Sequence, residues 1–244
     1  MKQIKQLRQN PRLIVGTPGR MNDHLKQETL CLKDASFLVL DETDRMLDMG
    51  FTPQIESLIK VMPAKRQTLL FSATLSKKIE GIANRYLNNP KRIAVSSSTE
   101  PAKNIDQQII TLKESEKYPT LCDEIENREG SIIVFVKTKF NADRMALKLT
   151  KAGIQADAIH GDLRQNKRER VLENFRKKKY RVLIATDVAA RGLDVPHIEH
   201  VINYDLPQSP EDYIHRIGRT GRAGEGGRAW SLVCADEVAE LRDI

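Results

Sequence analysis

The sequence predicts an α/β chain in which two domains, each built on a parallel sheet, follow one another. Short β-branched and aliphatic runs alternate with longer segments of helical periodicity. Polar clusters follow five of these runs directly, at the strand ends where open parallel sheets bind their ligands. The stretch 96–104 is polar and non-periodic and contains Pro101, which is typical of a linker. We therefore expect a first domain over residues 1–95 and a second domain over residues 105–244.

The predicted strands are the short apolar runs, taken in chain order. The first domain is expected to contain the strands Arg12–Val15, Phe37–Leu40, Thr68–Phe71 and Arg92–Val95. The second is expected to contain Gln108–Leu112, Ser131–Val136, Gln155–Ile159, Val182–Ala185, His200–Tyr204 and Arg228–Val233. Helical periodicity predicts helices over Asn141–Lys151 and Gln165–Lys177, and a third helix that begins at Pro119.

Composition limits the classes of function. The sequence has no run of 18 or more apolar residues and a charged start without an apolar segment behind it, so we expect neither a membrane span nor a secretory signal. Cys31, Cys122 and Cys234 lie far apart, which favours reduced thiols and a cytoplasmic location. The formal net charge of +7 mildly favours a polyanionic partner.

Two adjacent carboxylates, Asp41 and Glu42, come directly after the predicted strand Phe37–Leu40. Mg²⁺ bound to a triphosphate prefers one or two carboxylates together with water. Hydrolysis also needs a group that orients or deprotonates the attacking water. An Asp-Glu pair can divide these two roles, although acidic residues are also common at the start of ordinary helices.

The segment Tyr213–Arg222 contains three arginines and a histidine within eight residues, with Gly218 and Gly221 between them. Several guanidinium groups that approach one anion can stabilise the charge of a transferring phosphoryl group. A basic loop that only contacts nucleic-acid phosphates would have the same composition.

Taken together, these motifs resemble those of the DEAD-box RNA helicases of superfamily 2, of the bacterial type. The resemblance extends through nearly the whole chain and includes Thr17–Arg20, Asp41–Phe51, Ser72–Thr74, Ile133–Phe135, His160–Asp162, Gln165 with Arg168, Ala185–Asp194 and Tyr213–Arg222. It implies two RecA-like domains in tandem, the first of them incomplete. It also implies RNA-stimulated ATP hydrolysis that drives local unwinding of RNA duplexes.

The resemblance also implies roles in nucleotide binding. Asp41 would hold Mg²⁺ through water, and Glu42 would be the catalytic base. Arg219 and Arg222 would contact the γ-phosphate, and Asp194 would contact the ribose. The residues expected at ATP are Asp41, Asp44, Gly192, Asp194, Arg219 and Arg222.

The remaining motif residues are expected at RNA or in coupling between the domains. The RNA backbone would be bound, with little dependence on base sequence, by Thr17, Gly19, Arg20, Gly161, Arg168, Thr186 and Asp187. Coupling across the cleft would be carried by Asp44, Ser72, Thr74, His215 and Arg216.

The chain departs from the family pattern in two places. Thr43 stands where the family has alanine, which adds a polar group beside the carboxylates. No segment reads G-x-x-x-x-G-K-[ST], the loop that holds the phosphates of ATP. We therefore expect this chain alone to be impaired in ATP hydrolysis. We also expect residues 1–95 to be less stable than residues 105–244, and a complementing N-terminal fragment or an accessory protein as a partner.

Two other functions remain open at this stage. One is a non-catalytic RNA-binding or scaffold protein that derives from such a helicase. The other is a DNA-directed translocase of the same superfamily, which ranks last because its Ser-Ala-Thr and arginine segments generally differ.

Overall fold

The computed structural model describes residues 2–72, 77–94, 104–190, 195, 198–221, 225–242 and 244. The chain divides into two compact units, Met1–Ser98 and Thr99–Ile244. The predicted linker, apart from Asn104, lies outside the described residues, so the predicted domain limits remain a proposal.

The first unit contains a parallel pair of strands with helices around it. Its described elements are α1 (Lys2–Leu7), α2 (Pro18–Lys26), β1 (Phe37–Leu40), α3 (Thr43–Asp48), α4 (Thr52–Val61), β2 (Gln67–Leu70) and α5 (Lys77–Tyr86). The two strands pair in register from Phe37 opposite Gln67 to Leu40 opposite Leu70.

The two faces of this strand pair differ in burial. One face contributes Leu38, Leu40 and Leu70 to a core with Ile55 and Ile59 of α4. The opposite face carries four exposed apolar side chains, those of Phe37 (61% exposed), Val39 (53%), Leu69 and Phe71. Parallel sheets are usually covered on both faces, whereas the described residues leave this outer apolar face uncovered.

Two strands predicted for the first domain are wrong. Residues 12–15 form no strand, and neither do residues 92–94; Val95 lies outside the described residues. A strand needs a hydrogen-bonded neighbour, and in the described part of the chain these two segments have none. Leu13 is accordingly 79% exposed and Val15 87% exposed.

The second unit contains a larger sheet, and each strand predicted for it is present within a few residues. The described elements are β3 (Ile105–Thr111), α6 (Glu114–Glu126), β4 (Ile132–Phe135), α7 (Lys139–Lys151), β5 (Ala156–Ile159), α8 (Gln165–Arg176), β6 (Val182–Ala185), α9 (Asp187–Ala190), β7 (His200–Asn203), α10 (Pro210–Ile217), β8 (Gly227–Val233), a 3₁₀ turn (Ala235–Glu237) and α11 (Val238–Arg242).

The six strands of this sheet are parallel in the order β3-β8-β7-β4-β6-β5. Every residue of β4, β6 and β7 is buried. One face of the sheet packs against α8, α9 and α10, and the other packs against α6 and α7. The predicted α/β class with parallel sheets is therefore confirmed. No described helix is both long enough and apolar enough to cross a membrane.

The prediction that a helix begins at Pro119 is wrong, because α6 begins at Glu114 and Pro119 lies inside it. Lys113 precedes the helix, and its backbone N–H donates to Glu116 Oε2 at 2.8 Å. Lys117 is buried in the first turn, with its Nζ 2.7 Å from Glu237 Oε2. These contacts fix the earlier start, and one of them joins residues 120 positions apart in the sequence.

A buried histidine lies at the amino end of β7. His200 Nδ1 lies 3.3 Å from Glu124 Oε1, and the imidazole packs edge-on against Trp230. Burial, with a smaller contribution from the charge of Arg128, lowers the pKa of His200 to about 4. The imidazole is therefore neutral in the folded chain near neutral pH, and His200 and Glu124 do not form an ion pair there.

The burial of neutral His200 predicts that the free energy of unfolding decreases at acidic pH. Between about pH 6.5 and pH 4 the unfolded chain binds a proton at His200 that the folded chain does not, so stability falls as the pH falls through that window. The loss approaches about 3 kcal/mol near pH 4. Chemical denaturation of the wild type and of His200→Asn at several pH values measures it. Equal pH slopes for the two proteins would contradict the prediction.

Candidate functional site

The carboxylate pair lies at the carboxyl end of β1, where the sequence predicts it. Asp41 and Glu42 are both exposed. Glu42 precedes the first residue of α3 and has a left-handed backbone with φ of 49°. This conformation is uncommon for a residue with a side chain and costs about 1 kcal/mol. Such strain is typical of functional sites, because the surrounding structure must enforce it.

Thr43 and Asp44, the two residues after Asp41 and Glu42, hold this carboxylate pair in position. Thr43 is fully buried, and its Oγ1 donates to the carbonyl of Leu40 at 3.3 Å. The backbone N–H of Asp44 donates to Ser72 Oγ at 3.3 Å. The hydroxyl of Thr43 is therefore hydrogen-bonded to the strand, and Ser72 joins the end of β2 to the start of α3.

The chemistry of Asp41 fits a magnesium ion bound through water. Its carboxylate is exposed, and Oδ1 accepts from the backbone N–H of Glu42 at 2.9 Å. Among the described residues, no group of three or more His, Cys, Asp or Glu side chains lies close enough to hold a metal directly. A hard oxygen ligand in this position suits a cation that keeps most of its water.

The Thr17–Arg20 segment begins α2. Thr17 precedes the helix in an extended conformation, and Pro18 is its first residue. The Arg20 guanidinium donates to Gln3 Oε1 from Nε at 2.9 Å and from Nη2 at 2.6 Å. A Cβ built on Gly19 would meet no atom within 4 Å. No contact with the described residues therefore requires glycine at this position.

The predicted RNA residues of the second unit are brought together at one edge of the sheet. Gly161 follows β5 closely, and Thr186 follows the neighbouring strand β6, where its N–H donates to the carbonyl of Ile159 at 3.3 Å. Arg168 of α8 donates to the carbonyl of Ala189 at 2.8 Å and so joins α8 to α9. A Cβ on Gly161 would also meet nothing within 4 Å.

The buried Arg216 forms an ion pair with the half-buried Asp187 through two hydrogen bonds. Arg216 Nε lies 2.5 Å from Asp187 Oδ1, and Nη2 lies 2.8 Å from Oδ2. Nη1 donates to Asn203 Oδ1 and to the carbonyl of Asp205, and the guanidinium lies 4.9 Å from the ring centroid of Phe135. Arg216 is 2% exposed. These contacts join α10 to α9 and to the end of β7, all within the second unit.

The sequence did not predict the residues that support Arg216. Asn203 and Asp205 lie outside the arginine segment, Phe135 is distant from Arg216 in the chain, and no local motif marks any of the three. Both oxygens of Asp187 accept from Arg216, whereas the resemblance assigns Asp187 to RNA. The RNA role of Asp187 and the interdomain role of Arg216 remain predictions.

The arginine segment starts on α10. Ser209 Oγ accepts from the N–H of Asp212 at 3.1 Å and caps this helix, and Pro210 is its first residue. His215 and Arg216 lie in the last turn, where the helix dipole favours positive charge. Arg219 follows, and its Nε donates to the carbonyl of His215 at 3.1 Å.

Four predicted site residues lie outside the described residues. They are Thr74, Gly192, Asp194 and Arg222.

The chain is similar to known proteins along nearly its whole length. Residues 1–82 match the DEAD/DEAH box helicase family, and residues 116–224 match the helicase conserved C-terminal domain. The chain is 46% identical over 244 residues to the ATP-dependent RNA helicase CshA of Listeria monocytogenes and covers 47% of that relative. It is 45% identical over 245 aligned residues to the ATP-dependent RNA helicase DbpA of Bacillus subtilis and covers 51% of it. The chain spans about half the length of the curated relatives it matches.

The chain is also similar to solved structures. The structure of S. cerevisiae Dbp5 bound to RNA and ADP BeF3 is 35% identical, with a TM-score of 0.84 over 94% of this chain and 61% of the other. A hypothetical ATP-dependent RNA helicase from Sulfolobus tokodaii is 32% identical, with a TM-score of 0.53 over 100% of this chain and 71% of the other.

The ion pair between Arg216 and Asp187 predicts that the substitution Asp187→Asn destabilises the fold strongly. Asp187→Asn is expected to lower the free energy of unfolding by about 3 kcal/mol, because it leaves the buried guanidinium of Arg216 without its anionic partner. Urea denaturation measures the change. The matched control is Glu173→Gln, which removes the same charge from the exposed Glu173–Lys177 pair and should leave the midpoint unchanged. Equal effects of the two substitutions would contradict the role given to the pair.

Proposed function

The chain belongs to the DEAD-box family of RNA helicases, and on that premise we propose that the whole protein hydrolyses ATP with Mg²⁺ and uses this reaction to unwind short RNA duplexes. The cycle would consist of a closure of two domains on ATP and RNA, followed by hydrolysis that releases both.

The main support for this proposal is the arrangement at the carboxyl end of β1. Two adjacent carboxylates are presented to solvent there, one of them on a left-handed backbone. Buried Thr43 and the contact of Asp44 with Ser72 fix their position.

The proposed roles follow from the chemistry of each group. Mg²⁺, held through water by Asp41, would supply positive charge to the phosphates. Glu42 would accept a proton from the attacking water. Arg219, together with Arg222 and with Asp194 at the ribose, would complete the nucleotide contacts.

Two of the glycines with free space around them, Gly19 and Gly161, lie at proposed RNA contacts. Gly19 and Gly161 each follow a strand or begin a helix at a predicted contact, and space is free around both. Glycine costs conformational entropy in the unfolded chain, so its presence where the fold does not demand it suits close approach of a ligand backbone. Thr186 and Arg168 lie beside Gly161 through the contacts between β5, β6 and α9.

A second function fits the chain taken alone. Its sequence contains no G-x-x-x-x-G-K-[ST] segment, so we propose that this polypeptide binds ATP weakly and turns it over slowly. The second unit, with its six-stranded sheet and its glycine and threonine at one edge, supports RNA binding without turnover. The alternative is therefore a non-catalytic RNA-binding protein or scaffold.

The uncovered face of β1 and β2 supports a complementing polypeptide. Phe37, Val39 and Phe71 expose apolar surface on the face opposite α4. We propose that a segment that carries the phosphate-binding loop and at least one further strand packs there, from the same protein or from a separate one. We also propose a cytoplasmic location, which is compatible with the three free thiols Cys31, Cys122 and Cys234.

The proposed RNA contact at Gly161 can be tested by a substitution that adds a single methyl group. Gly161→Ala should weaken binding of poly-uridine by about tenfold, because the added Cβ occupies the space proposed for the RNA backbone. The stability of the fold should be unchanged or slightly higher. Fluorescence anisotropy and thermal melting measure the two effects. Gly81→Ala, a substitution at another open glycine in helix α5, is the control and should not alter binding. Unchanged RNA affinity in Gly161→Ala would refute the proposed contact.

Hydrolysis provides the second test. The chain alone should turn over ATP far more slowly than about 1 s⁻¹ in the presence of RNA. Addition of a fragment of a relative that carries G-x-x-x-x-G-K-[ST] should raise the rate. Val39→Lys should prevent this increase by placing a charge on the uncovered face, whereas Val61→Lys, at an exposed valine of α4, should not. Fast turnover by the chain alone would show that the proposed impairment is wrong.

A further inference from the structure

We propose that a basic groove on the outer side of α8 binds RNA phosphates beyond the segment held at Gly161 and Thr186. This inference rests on the proposed RNA binding and adds a second, separate stretch of contact to it. We call the residues Arg164, Lys167 and Arg170 the basic row.

The groove has a volume of about 490 Å³ and is open to solvent. It lies where the chain leaves β5 and enters α8, and it is lined by Asp162, Leu163, Arg164, Asn166, Lys167 and Arg170. None of these residues is among those that the sequence predicts at RNA. An open groove of this size suits a strand that passes along it better than a small molecule that must be enclosed.

The basic row is not needed to hold α8 in place. The inner side of the helix places Val171 and Phe175 in the core of the second unit. The same helix is attached to α9 by the hydrogen bond from Arg168 to the carbonyl of Ala189. The three cations of the row are exposed. They can therefore be replaced with little effect on packing.

The local charge favours an anion. Only one carboxylate, that of Asp162, lines the groove, and it is already paired with Lys139. The hydrogen bond from Lys139 lowers the pKa of Asp162, which agrees with this pairing. In the described part of the chain, none of the three cations of the basic row forms an ion pair. Three uncompensated cations in one groove are typical of a surface that binds a polyanion.

The spacing of the row suits consecutive phosphates. Arg164 directly precedes α8, and Lys167 and Arg170 lie in its first two turns, so the row extends over about 9 Å or slightly more at a helical rise of about 1.5 Å per residue. Phosphates of one strand lie about 3.4 Å apart along a duplex axis and farther apart in an extended strand, so the row spans about two phosphates. The groove begins next to Gly161, so a strand held there can continue into it.

The test compares oligouridines of two lengths with the 244-residue chain. The variant R164Q/K167Q/R170Q should bind an oligomer of about 20 nucleotides more weakly than the wild type, and bind one of about 6 nucleotides equally well. With the long oligomer, the slope of log affinity against log salt should become shallower by about 1.4, or about 0.7 for each of two phosphates.

The matched control is K177Q/K178Q/K179Q, which removes the same charge just beyond the other end of α8 and should leave both lengths unaffected. Equal losses for the short and long oligomers in the row variant, or equal losses in the two variants, would overturn the inference. Unchanged binding in the row variant would do so as well. If the wild type binds neither oligomer, the proposed RNA binding fails together with this inference, and that result is distinct from the others.

Discussion

The ion pair of Arg216 and Asp187 is the interaction on which the organisation of the second unit's site depends. A planar guanidinium with five donors can satisfy two carboxylate oxygens, an amide and a carbonyl at once, which an ammonium group cannot do. The pair therefore joins the helix that leads to Arg219 directly to the helix that follows Thr186.

The two units differ in how completely helices cover the faces of their parallel sheets. In the second unit helices cover both faces, and the central strands β4, β6 and β7 are buried along their whole length. In the first unit α4 covers one face of β1 and β2, while Phe37 and Val39 stay exposed on the other. Because burial of apolar area is the main source of stability, this difference supports the expected weaker stability of the first unit.

The sequence determined the fold class and most strands because both depend on local pattern. Val182–Ala185 is an uninterrupted apolar run between polar segments, and such a run has few alternatives to a buried strand. The same reasoning failed for Arg12–Val15, which has equally good strand residues but no neighbour to pair with in the described chain. It failed for Pro119 because α6 begins earlier, where Lys117 pairs with the distant Glu237.

The sequence by itself also determined which side chains are the candidates for the proposed chemistry, since the order and spacing of Asp41, Glu42 and the arginine segment are local facts. Only the tertiary structure decided how those side chains are held. The contact of Asp44 with Ser72 beside the left-handed Glu42, and the packing of Arg216 against Asp187 and Phe135, join elements that are separate in the chain. A linear pattern records which groups are present, but strain, burial and hydrogen-bond partners arise only when separate segments pack together.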